Sequence, residues 1–232
     1  TLPVMGKVWS VDAVAKNAST TIYGNIVTLD ESPLREGLLF VGTDDGLIQV
    51  TEDGGATWRK IERFPGVPER TYVNMVLASR HDANTLFAAF NNHKNGDFRP
   101  YLLKSTDLGR TWTSIASDLP ERGSVYAVAQ DPEVADLLFA GTEFGAFFSR
   151  DGGARWVKLT GGGFPAAPVR LLASEPRYEN LVLATFGRGF YVLDDYTPLR
   201  QVQPATLDKE FHLFPVKDAL MYVQTSKKYG QG

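Results

Sequence analysis

The chain has 232 residues, 43% hydrophobic and 22% charged, with a formal net charge of -3. That is enough apolar material for a large core, and it gives no electrostatic reason to expect nucleic acid or an anionic membrane as partner. There is no cysteine, which removes disulfides and thiolate chemistry, and no apolar run approaches the roughly 18 to 20 residues needed to span a bilayer.

Residues 1–21 form an entry segment in which VWSVDAVAKNAST (residues 8–20) reads as a short helix or an excursion between repeats. From residue 22 a pattern sets in and recurs. An apolar strand closed by a polar turn (IVTLDESP, residues 26–33) is followed by LLFVGTDDGLIQV (38–50), then by the turn TEDGGATW (51–58). The next unit has NMVLASRHD (74–82), TLFAAF (85–90), the longer FNNHKNGDFRP (90–100) and the turn STDLGRTW (105–112). The third has YAVAQDP (126–132), LLFAGTEFGAFF (137–148) and SRDGGARW (149–156). The fourth has VRLLASEP (169–176) and LVLATFGRGFYV (181–192) but no intact turn.

The three turns share Ser/Thr-x-Asp-x-Gly-x-x-Trp. Asp bonds its own backbone a few residues on, Gly supplies a positive φ without steric cost, and Trp anchors the outgoing strand in an apolar layer. The turn residues are therefore Asp53, Gly55 and Trp58; Asp107, Gly109 and Trp112; and Asp151, Gly153 and Trp156, with all three tryptophans expected to be buried. An apolar residue follows each Trp at the same offset: Ile61, Ile115 and Leu159. The box aspartates are 54 and 44 residues apart, and Asp195 lies 44 beyond Asp151. A period of roughly 40 to 50 residues with four strands per unit signifies an all-β propeller of four-stranded antiparallel blades. About four blades are visible, at 22–66, 67–120, 121–163 and a degenerate 164–200, with 201–232 as linker and start of a following domain. Within it FHLFPVKDALMYVQT (211–225) is strand-like but out of phase.

These turns resemble the Asp-boxes, or BNR repeats, of sialidases, sortilin-type receptors and two-propeller xyloglucanases. The resemblance covers about residues 23–200 and extends to large bacterial sortilin-like and glycosyl hydrolase BNR-repeat proteins, whose last blade carries endings like GRGFYVLDDYTPLR (187–200). It implies an exported multidomain protein of which this is the C-terminal part of the propeller. The expected form is an open arc of four blades, completed by other blades or domains of the same polypeptide. Closure into a small ring would need residues 8–14 to pair with a strand over residues 193–203.

Strand parity sorts the loops. With strands A to D in each blade, the box turns are C–D turns and share one end with the tight A–B turns. The B–C and D–A loops share the other, more variable end, where function is more often carried. That end supplies Asp45 and Glu143 as candidate catalytic carboxylates. It also supplies Asp44, Asn92, His93, Arg99, Phe144 and Arg188 as candidate ligand-binding residues. Paired carboxylates roughly 5 to 9.5 Å apart would serve glycoside cleavage. Phe98, Arg99 and Pro100 differ from the arginine-bearing element of sialidases by lacking its intervening residue, and Arg99, Arg122 and Arg188 form a candidate carboxylate-binding trio. His81, His93 and His212 show no ligand spacing, and Asp194 and Asp195 suit a capped final hairpin better than calcium, so neither metal nor cofactor is expected. The expected partner is a protein, peptide or glycan bound at the loop end, with glycoside hydrolysis of the xyloglucanase or sialidase-like type as the alternative.

Overall fold

The computed structural model describes residues 24–215 apart from 162 and 165, together with residue 218. Over them the chain forms four antiparallel sheets, each a meander in chain order. Blade 1 contains β1 (Ile26–Glu31), β2 (Leu39–Thr43), β3 (Ile48–Thr51) and β4 (Arg59–Ile61). Blade 2 contains β5 (Tyr72–Ala78), β6 (Leu86–Asn92), β7 (Asp97–Ser105) and β8 (Thr113–Ser114). Blade 3 contains β9 (Val125–Gln130), β10 (Leu138–Thr142), β11 (Gly145–Ser149) and β12 (Val157–Lys158). Blade 4 has only three strands among the described residues, β13 (Val169–Glu175), β14 (Asn180–Thr185) and β15 (Phe190–Leu193), where a regular repeat would give a fourth.

The first strands of successive blades lie side by side, β1 against β5, β5 against β9 and β9 against β13, as the inner strands of a partial β-propeller do. Three apolar cores follow, one per junction. Phe40, Ile48 and Val50 of blade 1 meet Val73 and Val76 of blade 2; Phe87 and Leu102 meet Val125 and Val128; Phe139 and Phe148 meet Val169 and Leu183. Side chains also strap the inner strands together. Asp30 accepts the Ala78 N–H at 2.7 Å, and Gln130 accepts the Arg80 N–H and the Ser79 hydroxyl, both at 3.0 Å. Burial raises the Asp30 carboxyl pKa despite the Ala78 bond.

The box turns are built alike. Asp53 accepts the Thr57 N–H at 2.9 Å and the Thr57 hydroxyl at 2.6 Å, while the Thr51 hydroxyl donates to it and receives the Gly55 N–H, both at 2.8 Å. Ser105, Asp107, Gly109 and Thr111 repeat this bond for bond. In the third turn Arg155 stands in for the threonine, its Nε 3.1 Å from Asp151. These bonds favour the charged form, and the Thr57 and Thr111 hydroxyls, as the largest contributors, hold Asp53 and Asp107 at about 2. Each box turn is tied to the A–B turn beside it, through Gly54 N–H to Gly37 O, Leu108 N–H to Asn84 O and Gly152 N–H to Asp136 O.

The second and third boxes also dock on the blade before them. The indole of Trp156 donates to Ile115 O at 2.7 Å, Phe64 packs edge-on to Trp112 at 5.5 Å, and Trp112 and Trp156 are 8% and 7% exposed. Gly109 and Gly153 are close-packed there, since a Cβ on either would come within 2.7 Å of Ile61 or Ile115 respectively. Those two isoleucines are the apolar residues three places after the preceding Trp, which explains that spacing. Trp58 departs from the expected burial at 44% exposed. Its turn belongs to the first described blade, so no described blade precedes it, and its indole donates to Gly55 O of its own turn at 3.1 Å.

Beyond β15 the register reveals what replaced the fourth box. Leu39 pairs with Thr51, Leu138 with Ser149, and Leu181 with Leu193, so Asp195 stands where the other turns carry their aspartate. It accepts the Thr197 N–H and hydroxyl, and the Tyr196 N–H bonds Glu179 O at 3.0 Å in the manner of the other three turns. At the places of the box Gly and Trp stand Thr197 and Arg200. The chain instead enters a 3-10 helix, Thr197–Gln201, so a strand over residues 193–203 does not form past Leu193. Tyr196 is buried edge-on to Phe139 at 5.3 Å. Arg200 reaches back to the fully buried Asp131 at 3.0 Å and to Glu179 at 3.1 Å. A one-turn helix, Pro204–Leu207, follows, and residues 211–215 carry no strand. The segment proposed over residues 8–20 and the rest of 211–225 lie outside the described residues. No helix among the described residues is long and apolar enough to cross a membrane.

Candidate functional site at the loop end

The antiparallel order of strands puts the B–C and D–A loops at the end away from the box turns, and one feature there recurs in every blade. Along each inner strand, two residues are passed for one on its neighbour. The extra residues are Val27, Asn74, Tyr126 and Arg170, each near the loop end of its strand. Such bulges twist a strand and re-aim the side chain they carry. Three of the four side chains form a connected row. The Asn74 carboxamide donates to the Tyr126 backbone carbonyl and its Oδ1 accepts from Asn91 Nδ2 at 2.9 Å, and the Arg170 guanidinium lies 3.6 Å above the Tyr126 ring.

Around this row stand the hairpins between second and third strands. In blade 2 the stretch expected as a long loop is instead a continuation of β6 and β7, with Asn92 paired to Asp97 and a 3-10 turn, His93–Asn95, ending at left-handed Gly96. Asp97 gathers that tip. It receives the Arg99 guanidinium through two bonds at 3.0 and 2.8 Å, the Tyr101 hydroxyl, and Asn92 Nδ2 at 3.3 Å. Arg99 is the main reason the Asp97 carboxyl sits well below the usual carboxylate range, while burial and then Asp97 push Tyr101 upward. In blade 3 the Tyr126 hydroxyl donates to Glu143; burial first, then that bond, lifts the phenol to about 12. A cleft of about 260 Å³ opens between blades 1 and 2, lined among others by Glu62, Arg63, Phe64, Val67 and Arg70.

Most of the polar residues singled out in the sequence are thus occupied within the protein. Asp44 caps the entering chain, accepting the N–H groups of Gly24 and Asn25 at 2.7 and 2.8 Å. Asp45 is buried and receives the Thr43 hydroxyl. It and Glu143 belong to blades separated by the whole of blade 2, so the structure does not pair them as acid and base. Asn92 is buried between Asp97 and Asn95, and exposed His93 turns its Nδ1 to Asn91. Arg99 is held by Asp97, so the trio of Arg99, Arg122 and Arg188 is not a set of three free guanidinium groups. Phe144 and Arg188 remain exposed. Residues the sequence did not single out are Asn74, Tyr126, Arg170 and Phe186, the last 70% exposed. Only Phe186 had a visible signal, an aromatic in the hairpin of blade 4 that corresponds to the TEFG hairpin of Phe144. Among the described residues no group of three His, Asp or Glu side chains is placed to hold a metal ion.

No family model matches the chain. It is 28% identical over 162 residues to a xyloglucanase from Paenibacillus sp., a match covering 67% of this chain and 15% of that much longer protein. Among solved structures, a GH74 enzyme from Niastella koreensis superposes with a TM-score of 0.59 over 76% of this chain and 30% of its own, at 18% identity. YCF48 bound to D1 peptide superposes with a TM-score of 0.54 over 75% of this chain and 53% of its own, at 20% identity. These likenesses show the fold, a β-propeller of which this chain spans a part, and they include both glycoside hydrolases and a peptide-bound propeller.

Proposed function

We propose that the chain is the binding part of an exported, Asp-box-type β-propeller that engages a protein or peptide through its loop end. The observation that carries this is the division of labour among loop-end side chains. The carboxylates that would do chemistry, Asp45 and Glu143, are each bonded to a hydroxyl of their own blade. Three consecutive hairpins meanwhile hold out a phenyl ring to solvent, Phe98 at 41%, Phe144 at 46% and Phe186 at 70% exposed. Exposed rings on a rigid scaffold are anchors in the usual anatomy of a protein-recognition surface. The peptide carried by YCF48, a propeller of like fold, supports this use of the architecture.

The second reading, glycoside hydrolysis, is favoured by the sequence likeness to a xyloglucanase. In that reading Glu143 supplies one carboxylate and a second propeller of the same polypeptide supplies the other. Two assays on the full protein separate them. Binding to a random peptide array that is lost in a Phe144→Ala/Phe186→Ala double variant supports the binding role. Release of reducing sugar from xyloglucan oligosaccharides that is abolished by Glu143→Gln overturns it.

A further inference from the structure

Arg170 is the last member of the bulge row. Its guanidinium is stacked at 3.6 Å on Tyr126 and lies 5.5 Å from the ring of Phe186. No described carboxylate pairs with it, in contrast to Arg99 on Asp97, Arg155 on Asp151 and Arg200 on Asp131, so its N–H edge is not spent within the described chain. A guanidinium held by one face on a ring keeps that edge preorganised for a planar bidentate acceptor. The ring it rests on is itself immobilised, because Tyr126 is bonded to Glu143 through its hydroxyl and to Asn74 through its carbonyl.

We infer that Arg170, stacked on Tyr126 and flanked by Phe186, is the anchor for an acidic side chain of a peptide segment laid along the inner rim, with Phe186 and Phe144 covering apolar residues beside it. This rests on the proposed binding role and specifies the ligand's chemistry. A peptide is favoured over a sugar by what the rim has left to offer. Hydroxyl-rich ligands need free carboxamides and carboxylates, and here Asn74, Asn91, Asn92, Asp97 and Glu143 bond one another or their neighbours. The groups left along the row are the Arg170 guanidinium and phenyl rings, with exposed Arg188 in the hairpin above, which suit a carboxylate flanked by apolar side chains. Arg170 lies within a strand, so its placement owes more to the bulge between Val169 and Leu171 than to a flexible loop.

The test uses the whole chain and two blocked hexapeptides, acetylated and amidated, one alternating leucine with glutamate and the other leucine with glutamine. At low salt the glutamate peptide is expected to bind about tenfold tighter than the glutamine peptide. The difference should vanish in Arg170→Gln, shrink in Arg170→Lys and fade as salt screens the charge. A thermal melt of each variant checks that the exposed substitution leaves the fold intact. Peptide binding that depends on Phe144 and Phe186 but is indifferent to Arg170 overturns the anchor and leaves the binding role standing. Absence of any peptide binding overturns both, and tighter binding of an oligogalacturonate than of the glutamate peptide assigns the cation to an acidic sugar and also overturns the inference.

Discussion

Blades 3 and 4 are neighbours with the same strand order, yet they bury their sheets differently. In blade 3 every residue of β9, β10 and β11 is buried. In blade 4 one face packs on blade 3 through Leu172, Leu181 and Leu183, while Leu171, Phe190 and Val192 are exposed on the other. The register makes the comparison strict: Val182 and Val192 occupy the places that Phe139 and Phe148 occupy one blade earlier. A blade's strands thus pair without a neighbour, but its second apolar face stays exposed among the described residues, as expected of an architecture stabilised repeat by repeat. The two blades also hold their last turn differently, blade 3 by an indole seated on blade 2, blade 4 by Tyr196 and an arginine clasped to a buried aspartate.

The largest expected effect separates an interior box from the first one. Trp156→Ala should cost about 3 to 5 kcal/mol in denaturant unfolding, as removal of a buried ring does. Trp58→Ala, losing a half-exposed ring, should cost about 1 kcal/mol or less on the same scale of effects. Equal losses would mean that the indole's seat on the preceding blade is not what stabilises the turn. Next in size is the clasp of blade 4. Arg200→Met strands the charge of Asp131, which has no exposed surface, and breaking such a pair from one side typically costs about 3 kcal/mol or more. Arg155→Met, at an exposed pair with Asp151, should fall within about 1 kcal/mol.

A smaller contrast lies in the glycines. Gly153→Ala meets both a left-handed backbone, φ +97°, and Ile115 at 2.7 Å, whereas Gly55→Ala has the same φ but only its own Trp58 at 3.8 Å. Both should destabilise, with Gly153→Ala worse by about 1 kcal/mol or more, since the overpacking is added to the strain. The smallest effect is on pH. Asp53 and Asp107 are held at about 2 in the folded chain against the ordinary aspartate value of 3.8. Their contribution is therefore present above about pH 4 and lost as pH falls through about 2. Asp107→Asn should flatten the acid limb of a stability-versus-pH curve over that window and leave neutral pH less stable than wild type; an unchanged limb would show that the turn carboxylates do not report on folding.

The repeat, the strand order and the sorting of loops to two ends were legible in the sequence because each depends on local chemistry: alternating apolar strands, an Asp that bonds four residues on, a Gly that takes positive φ. What was not legible depends on register or on distant chain. The bulges that aim Asn74, Tyr126 and Arg170 exist only once the inner strands are paired with their neighbours. Trp58 carries the same motif as Trp156 and differs in burial because no described blade precedes its own. Arg200 and Asp131 meet across 69 residues with no local signal. The candidate site suffered most, since polar loop residues such as Asp44 and Arg99 look available in sequence and are consumed by neighbours in the fold.

Hydrogen exchange followed by mass spectrometry on the whole chain tests the contrast between the two blades most directly, because it reads local opening segment by segment. Amides of β9, β10 and β11 should be the slowest to exchange, those of β14 and β15 markedly faster, and the hairpin tips around residues 93–96 and 186–189 the fastest. Protection in β14 and β15 equal to that in β10 and β11 would contradict the claim that no described residue covers the second face of blade 4.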